Sequence, residues 1–251
     1  LHYWIETRRR IVAVDTRRRV ARLEFPSRMR LTDDFQPGGA PYYVENVFEA
    51  LDEPGQWYLD RPTGTLYYIP LPGERPETAE VIAPVLGEVL RLAGRTEPFV
   101  GGKAARGKNA GRPVPAGQPV QCVRFEGLTF SHCEWQPSRQ AERLATPQAA
   151  CHVPGAVQAE NVDQVAFHGC HVEHVGGYGM ELAAGCRNVQ VLACDVTDLG
   201  AGGIKVWHGC RRNTIADCEI ADGGHLYHSG VGVLIGRSSG NKLLHCHIHD
   251  F

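Results

Sequence analysis

His174, Asp198, Asp222 and Asp250 each stand four residues after a cysteine, and His132 holds the equivalent place in a looser upstream copy. Recurrence of carboxylates at one position is a route to glycoside hydrolysis. Carboxyl groups about 5–5.5 Å apart work with retention, and about 6.5–9.5 Å apart with inversion. Two like charges at such range raise the pKa of one carboxyl, which supplies a general acid at neutral pH. If the recurrence marks stacked turns, neighbours lie about 4.8 Å apart. Asp198 with Asp222, or Asp222 with Asp250, then suits retention, and Asp198 with Asp250 approaches inversion. The competing reading is structural: Asp before Gly hydrogen-bonds its own backbone and shapes a corner.

Other residues could join this column. After Asp222 the string GGHLYHSGVGV replaces the shorter GAGGIKV of the preceding copy. The extra residues put His225, Tyr227 and His228 in a loop beside the aspartates, where an insertion into a regular stack reads as functional. With His174 they are the expected substrate contacts, and Trp135 offers a flat face for a sugar ring, as Tyr178, Trp207 and Tyr227 also could. His171, Asp195, Glu219 and His247 follow the cysteines directly. They form either a self-satisfied polar ladder or a rival catalytic pair. His245, His247 and His249 alternate along one strand, a spacing that can hold a transition metal. A polar strand face is the plainer reading, and no metal ligand is assigned. Glu181 and Lys205 are expected to pair on an outer face. Arg8–Arg10 and Arg17–Arg19 flank IVAVD and read as solvated hairpin ends.

The elements that position these residues emerge from the cysteines. VAFHGCHVEHVG (165–176), VQVLACDVTDLG (189–200), NTIADCEIADGG (213–224) and NKLLHCHIHD (241–250) align at offsets of 24, 24 and 28 residues, with FEGLTFSH (125–132) a looser copy. A period near 24 residues marks a repeat whose units must stack to bury their apolar faces. Three short strands per coil give an all-β, right-handed parallel β-helix of the pectin-lyase-like type over 120–251. Its inward columns are Phe167, Val191, Ile215, Leu243; Val172, Val196, Ile220, Ile248; Met180, Ile204, Val233; and Leu182, Val206, Ile235. Cys170, Cys194, Cys218 and Cys246 form a buried thiol ladder of small hydrophobes. Parallel Cβ vectors argue against disulfides, and the absence of CxxC pairs argues against zinc.

Residues 1–95 alternate strand signals with turns and read as an N-terminal β-sandwich-like domain. Its clearest hairpin joins Trp57-Tyr58-Leu59 to Leu66-Tyr67-Tyr68-Ile69 through Thr63-Gly64, and a short helix in YYVENVFEALDEPG ends at Pro54-Gly55. Residues 96–119, rich in Gly, Lys and Pro, read as a flexible linker or loop. Of the 251 residues 43% are hydrophobic and the net charge is −2, enough for a core and without a basic stripe. Nucleic acid is therefore excluded as a partner. Membrane insertion is excluded by the absence of 18 consecutive apolar residues. The chain has no initiator Met and stops within a repeat, so a fragment truncated at both ends is expected.

The strings YYVENVFEALDEPGQWYLDRPTGTLYYIPLPGE, VRFEGLTFSHCEW, DLGAGGIKV and DGGHLYHSGVGVLIG…HIHDF resemble bacterial β-helix glycoside hydrolases. The resemblance is to glycoside hydrolase family 141, with the family 120 β-xylosidases as near relatives in architecture. It implies a β-helix interrupted by a β-sandwich domain and two acidic catalytic residues on the helix face. It also implies fucosidase- or xylanase-like action on plant-type or algal polysaccharides, in an extracytoplasmic protein. Further coils would be expected beyond Asp250, so a catalytic partner could lie outside this stretch. The expectation is a monomeric hydrolase without cofactor, using Asp198, Asp222 and, third, Asp250. The alternatives are a polysaccharide lyase, with Lys205 as base and Ca²⁺ held by the acidic columns, and a non-catalytic carbohydrate-binding or surface β-helix.

Overall fold

The computed structural model describes residues 4–95, 117–138 and 146–251, so the expected linker over 96–119 lies outside the described residues except for its last three. The chain divides into two units, Leu31–Ala83 and His2–Arg30 with Pro84–Phe251.

The larger unit is a parallel β-helix of three five-stranded sheets. The first stacks Arg124–Glu126, Ala166–His168, Gln190–Leu192, Thr214–Ala216 and Lys242–Leu244. The second stacks Thr129–Cys133, His171–Val175, Asp195–Val196, Glu219–Ala221 and His247–His249. The third stacks Leu90–Ala93, Gly155–Glu160, Tyr178–Leu182, Ile204–Val206 and Val233–Ile235. The expected columns are present in register: Phe167↔Val191↔Ile215↔Leu243 in the first sheet and Val172↔Val196↔Ile220↔Ile248 in the second. Met180↔Ile204↔Val233 and Leu182↔Val206↔Ile235 line the third. Apolar, mostly β-branched side chains fill these positions because stacked identical neighbours pack without steps on a pleated surface.

Between strands the chain turns through left-handed corners that also form columns. Gly127, Gly169, Ala193, Asp217 and His245 make one, with φ of 63°, 56°, 49°, 54° and 51°. Asn213 is buried on the inside of another turn. It donates to Asn241 Oδ1 at 2.9 Å and accepts from Val189 N–H at 2.9 Å, so the turn has its buried polar groups paired.

Cys170, Cys194 and Cys218 are buried as expected, whereas Cys246 on the last coil is only partly so. Every cysteine is free, and Cys186 and Cys210 form a second buried ladder. The Cys186 thiol donates to Ala159 O at 3.1 Å and that of Cys210 to Ala183 O at 2.9 Å. The neighbouring sulfur together with burial pushes the Cys186 and Cys218 thiols up.

Two expectations need correction. The boundary near residue 95 lies earlier, because Leu90 and Leu92 stack on Val157 and Ala159 and so belong to the helix. The sandwich over 1–95 is replaced, among the described residues, by one antiparallel hairpin in each unit: Ile11–Asp15 with Val20–Leu23, and Trp57–Asp60 with Thr65–Tyr68. Each is only a pair of short strands, too few to build a second layer. The helix expected before Pro54 is a single 3₁₀ turn at Phe48–Ala50. Phe48 packs edge-on to Tyr58 and Tyr67, 5.2 and 5.0 Å between ring centres.

With every thiol free and the ladders enclosed, a thiol reagent applied to the native protein is expected to label exposed Cys122 first. Cys133, Cys170, Cys186, Cys194, Cys210 and Cys218 should react only on unfolding. Mass spectrometry of peptides after timed alkylation checks this; early labelling of Cys194 or Cys210 would contradict the enclosed ladder.

Candidate active site

The corner after the second sheet carries the column foreseen from the cysteine spacing. His132, His174, Asp198, Asp222 and Asp250 have φ of 60°, 53°, 51°, 55° and 57°. Such left-handed corners favour Gly and, next, short polar residues such as Asp and Asn. Their carbonyls close the stack: Asp198, Asp222 and Asp250 accept from Val175, Leu199 and Gly223 N–H at 3.2, 2.9 and 3.0 Å. The backbone role of this column is therefore structural, while its side chains meet imidazoles. His174 Nδ1 is hydrogen-bonded to Asp198 Oδ2, and the His174 ring stacks on that of His132 at 5.1 Å.

Asp198, Asp222 and His225 converge. His225 Nε2 lies 3.0 Å from Asp222 Oδ1 and 3.8 Å from Asp198 Oδ1. One oxygen from each carboxylate and one imidazole nitrogen all fall within 4.8 Å of one another. The three side chains are about half exposed, so a solvent-borne substrate can reach them.

His225 is delivered by the inserted loop, which runs from Asp222 to Val233 where the preceding coil needs only Asp198 to Ile204. The loop is pinned along its backbone. Gly224 N–H donates to Ala201 O at 2.7 Å, His225 N–H to Leu199 O at 3.2 Å, and Leu226 and Tyr227 N–H to Gly200 O at 2.8 and 2.7 Å. Gly230 is required for this approach, since a Cβ there would stand 2.3 Å from Ala201 O. Ser229 fastens the far side, accepting from Ala150 N–H and donating to Pro147 O, both at 3.2 Å.

Tyr227, expected to offer an open face, is instead 8% exposed. Its ring packs against Trp135 and His152 at 6.1 and 6.2 Å, and the Arg8 guanidinium sits 5.7 Å from its centre. Trp135 is half-buried in the same cluster, so both aromatics hold the loop down. His228 Nδ1 meets Glu6 Oε2 at 3.0 Å rather than an aspartate.

Glu6 had no signal in the sequence. Its side chain is 4% exposed, paired with Arg8 and His228, and its backbone bridges Thr146. Arg8 also donates to Leu226 O, which corrects the reading of Arg8–Arg10 as merely solvated. The turn residues Arg17–Arg19 keep that reading, with Arg18 N–H capped by Asp15 Oδ1 at 2.9 Å.

Lys205 pairs with Glu181 at 3.2 Å, but inside the protein rather than on an outer face. It is 2% exposed and donates to the carbonyls of Cys151 and Val153 at 3.2 and 2.6 Å. The segment through 151–153 covers the third sheet there, which periodicity alone does not reveal.

Asp250 stands apart from the converged pair, accepting from His249 Nδ1 at 2.7 Å. The column after the cysteines satisfies itself as a ladder: His171 Nδ1 lies 3.1 Å from Asp195 Oδ2, and His247 Nδ1 3.0 Å from Glu219 Oε2. His249 Nε2 reaches Glu219 Oε1 at 2.7 Å, whereas His245 turns to Asp217 on the other corner at 2.7 Å.

The family described as the right-handed β-helix region matches residues 123–220 and again 155–251, together just over half of the chain. No curated protein matches, and no solved structure does. Among the described residues no helix is long and apolar enough to cross a membrane.

Two stability predictions follow from this region's buried groups. Lys205→Met should cost about 3–5 kcal/mol in denaturant unfolding, because it strands the Glu181 carboxylate against buried carbonyls. Burial pushes the Tyr227 hydroxyl up to about 12 and raises that of Tyr178. A folded state that holds these protons more tightly than the unfolded chain loses stability as pH climbs past the ordinary tyrosine value of about 10. Tyr227→Phe should flatten that alkaline loss, read as unfolding midpoints between about pH 9 and 11.

Proposed function

The chain belongs to the right-handed β-helix family, and on that premise we propose that it is a glycoside hydrolase acting on plant-type or algal polysaccharide. The observation that carries this reading is the convergence of Asp198 and Asp222, within 4.8 Å through their oxygens and bridged by His225, on a half-exposed corner. That close spacing favours retention, with one carboxylate attacking the anomeric carbon and the other protonating the leaving oxygen and later activating water. His225 contacts both oxygens and positions them, and His174 holds Asp198 from the neighbouring coil. The resemblance to glycoside hydrolase families 141 and 120 supports fucosidase- or xylanase-like specificity, action as a monomer and an extracytoplasmic location.

The lyase alternative is weakened by Lys205, whose ammonium is buried and hydrogen-bonded to two carbonyls and Glu181, out of reach of a sugar's C5 proton. A purely binding role remains the other reading that a β-helix permits.

Asp198→Asn and Asp222→Asn are each expected to lower turnover of fucosylated or xylan-type polysaccharide by about 10²–10⁴-fold. Release of reducing ends by the full-length protein reads this out. Undiminished turnover in both variants would sink the assignment. An unsaturated-uronate absorbance would mean a lyase, and glycan binding without turnover would mean a binding module.

A further inference from the structure

A second cluster, one column over from the aspartate pair, is built differently. Glu219 and His247 face each other across adjacent coils and His249 stands opposite Ala221, with Ile220 and Ile248 stacked inward between them. This alternation sends all three polar side chains to the outer face. We propose that Glu219, His247 and His249 bind a borderline divalent transition-metal ion of the Zn²⁺ class, with Asp250 orienting His249. This site does not depend on the hydrolase reading.

The donor geometry is close to what such an ion requires. His247 Nδ1 lies 3.0 Å from Glu219 Oε2, and His249 Nε2 lies 2.7 Å from Glu219 Oε1. One donor atom from each of the three residues falls within 4.8 Å of the other two. Tetrahedral zinc with bonds of about 2.0–2.1 Å spaces its ligand atoms about 3.3 Å apart, so small rotamer adjustments suffice. The two imidazole rings already converge, with centres 4.2 Å apart.

Asp250 is the second, independent feature. It engages His249 Nδ1 at 2.7 Å, which leaves Nε2 as the nitrogen facing Glu219. A carboxylate that fixes the tautomer and direction of a ligating histidine is the usual outer partner of such a site. Two nitrogens and one oxygen select Zn²⁺, Ni²⁺ or Cu²⁺ over Ca²⁺ and Mg²⁺, which take oxygen. Metal ligation displaces any proton held on the ligating nitrogens. Three protein ligands leave a fourth position, which water would fill.

The test uses the whole chain freed of metal by dialysis against chelator. Zn²⁺ is titrated in competition with a chromophoric chelator, and Co²⁺ reports tetrahedral geometry by its visible absorption. One ion per chain is expected, with the imidazole NMR signals of His247 and His249 shifting on addition of Zn²⁺. His247→Ala and His249→Ala should each abolish high-affinity binding, and Asp250→Asn should weaken it about 10–100-fold. His245→Ala, on the other corner, should leave it unchanged. The proposal is overturned if no ion binds, or if binding persists in the His247→Ala/His249→Ala double variant. It is equally overturned if Asp222→Asn or His225→Ala removes binding while the triad variants keep it. The NMR shifts of the unmodified chain decide the matter even if a variant fails to fold.

Discussion

Backbone hydrogen bonds between successive coils, kept in strict register, are the constraint on which everything else in the larger unit rests. Because side chains alternate with period two, a slip of one residue would turn Phe167, Val191 and Ile215 outward and bring their polar neighbours in. The register therefore demands that each position meet its own kind one coil away. Inside, this yields columns of valine and isoleucine, two thiol ladders and an asparagine pair. At the corners, it yields columns of left-handed residues.

The same constraint shapes the chemistry. Stacking carries a titratable residue to within hydrogen-bond reach of whatever occupies the same position in the next coil. Like charges there are unfavourable, and histidine faces acid at several rungs: His174 with Asp198, His171 with Asp195, His247 with Glu219, although Asp195 and Glu219 face each other as two acids. In the corner column three acids follow one another, Asp198, Asp222 and Asp250. The inserted loop places His225 between the first two. A residue from outside the regular repeat thus joins this acid pair.

The fold of the coils was legible because each column repeats at a fixed offset. The cysteines sufficed to align Met180 with Ile204 and Val233 across a loop of different length. The corner aspartates were legible for the same reason. What escaped was set by contacts without period. The pairing of Glu6 with His228 spans 222 residues and leaves no trace in any repeat. The burial of Tyr227 and Lys205 comes from segments that wrap the stack. The membership of Leu90–Ala93 in the third sheet was hidden because it is separated from the other coils by a stretch of different composition. The expected sandwich failed for a different reason: turn-punctuated short strands signal hairpins, and nothing in a hairpin's own sequence says how many others will join it.

The Glu6 clasp has a consequence in time. From the coil of His171 onward, contacts such as Cys170 with Cys194 and Asp217 with His245 close loops of 24 and 28 residues, so this part of the stack can grow coil by coil. Joining Glu6 to His228 instead closes nearly the whole chain, at a higher entropic cost and for a few contacts: the ion pair, Arg8 on Leu226 O and the Tyr227 ring, and the bridge to Thr146. Folding should thus proceed from a completed stack, with the loop bearing His225 already pinned to it, to a late docking of the first residues. A refolding protein would regain its β-sheet signal before the Trp135–Tyr227 environment.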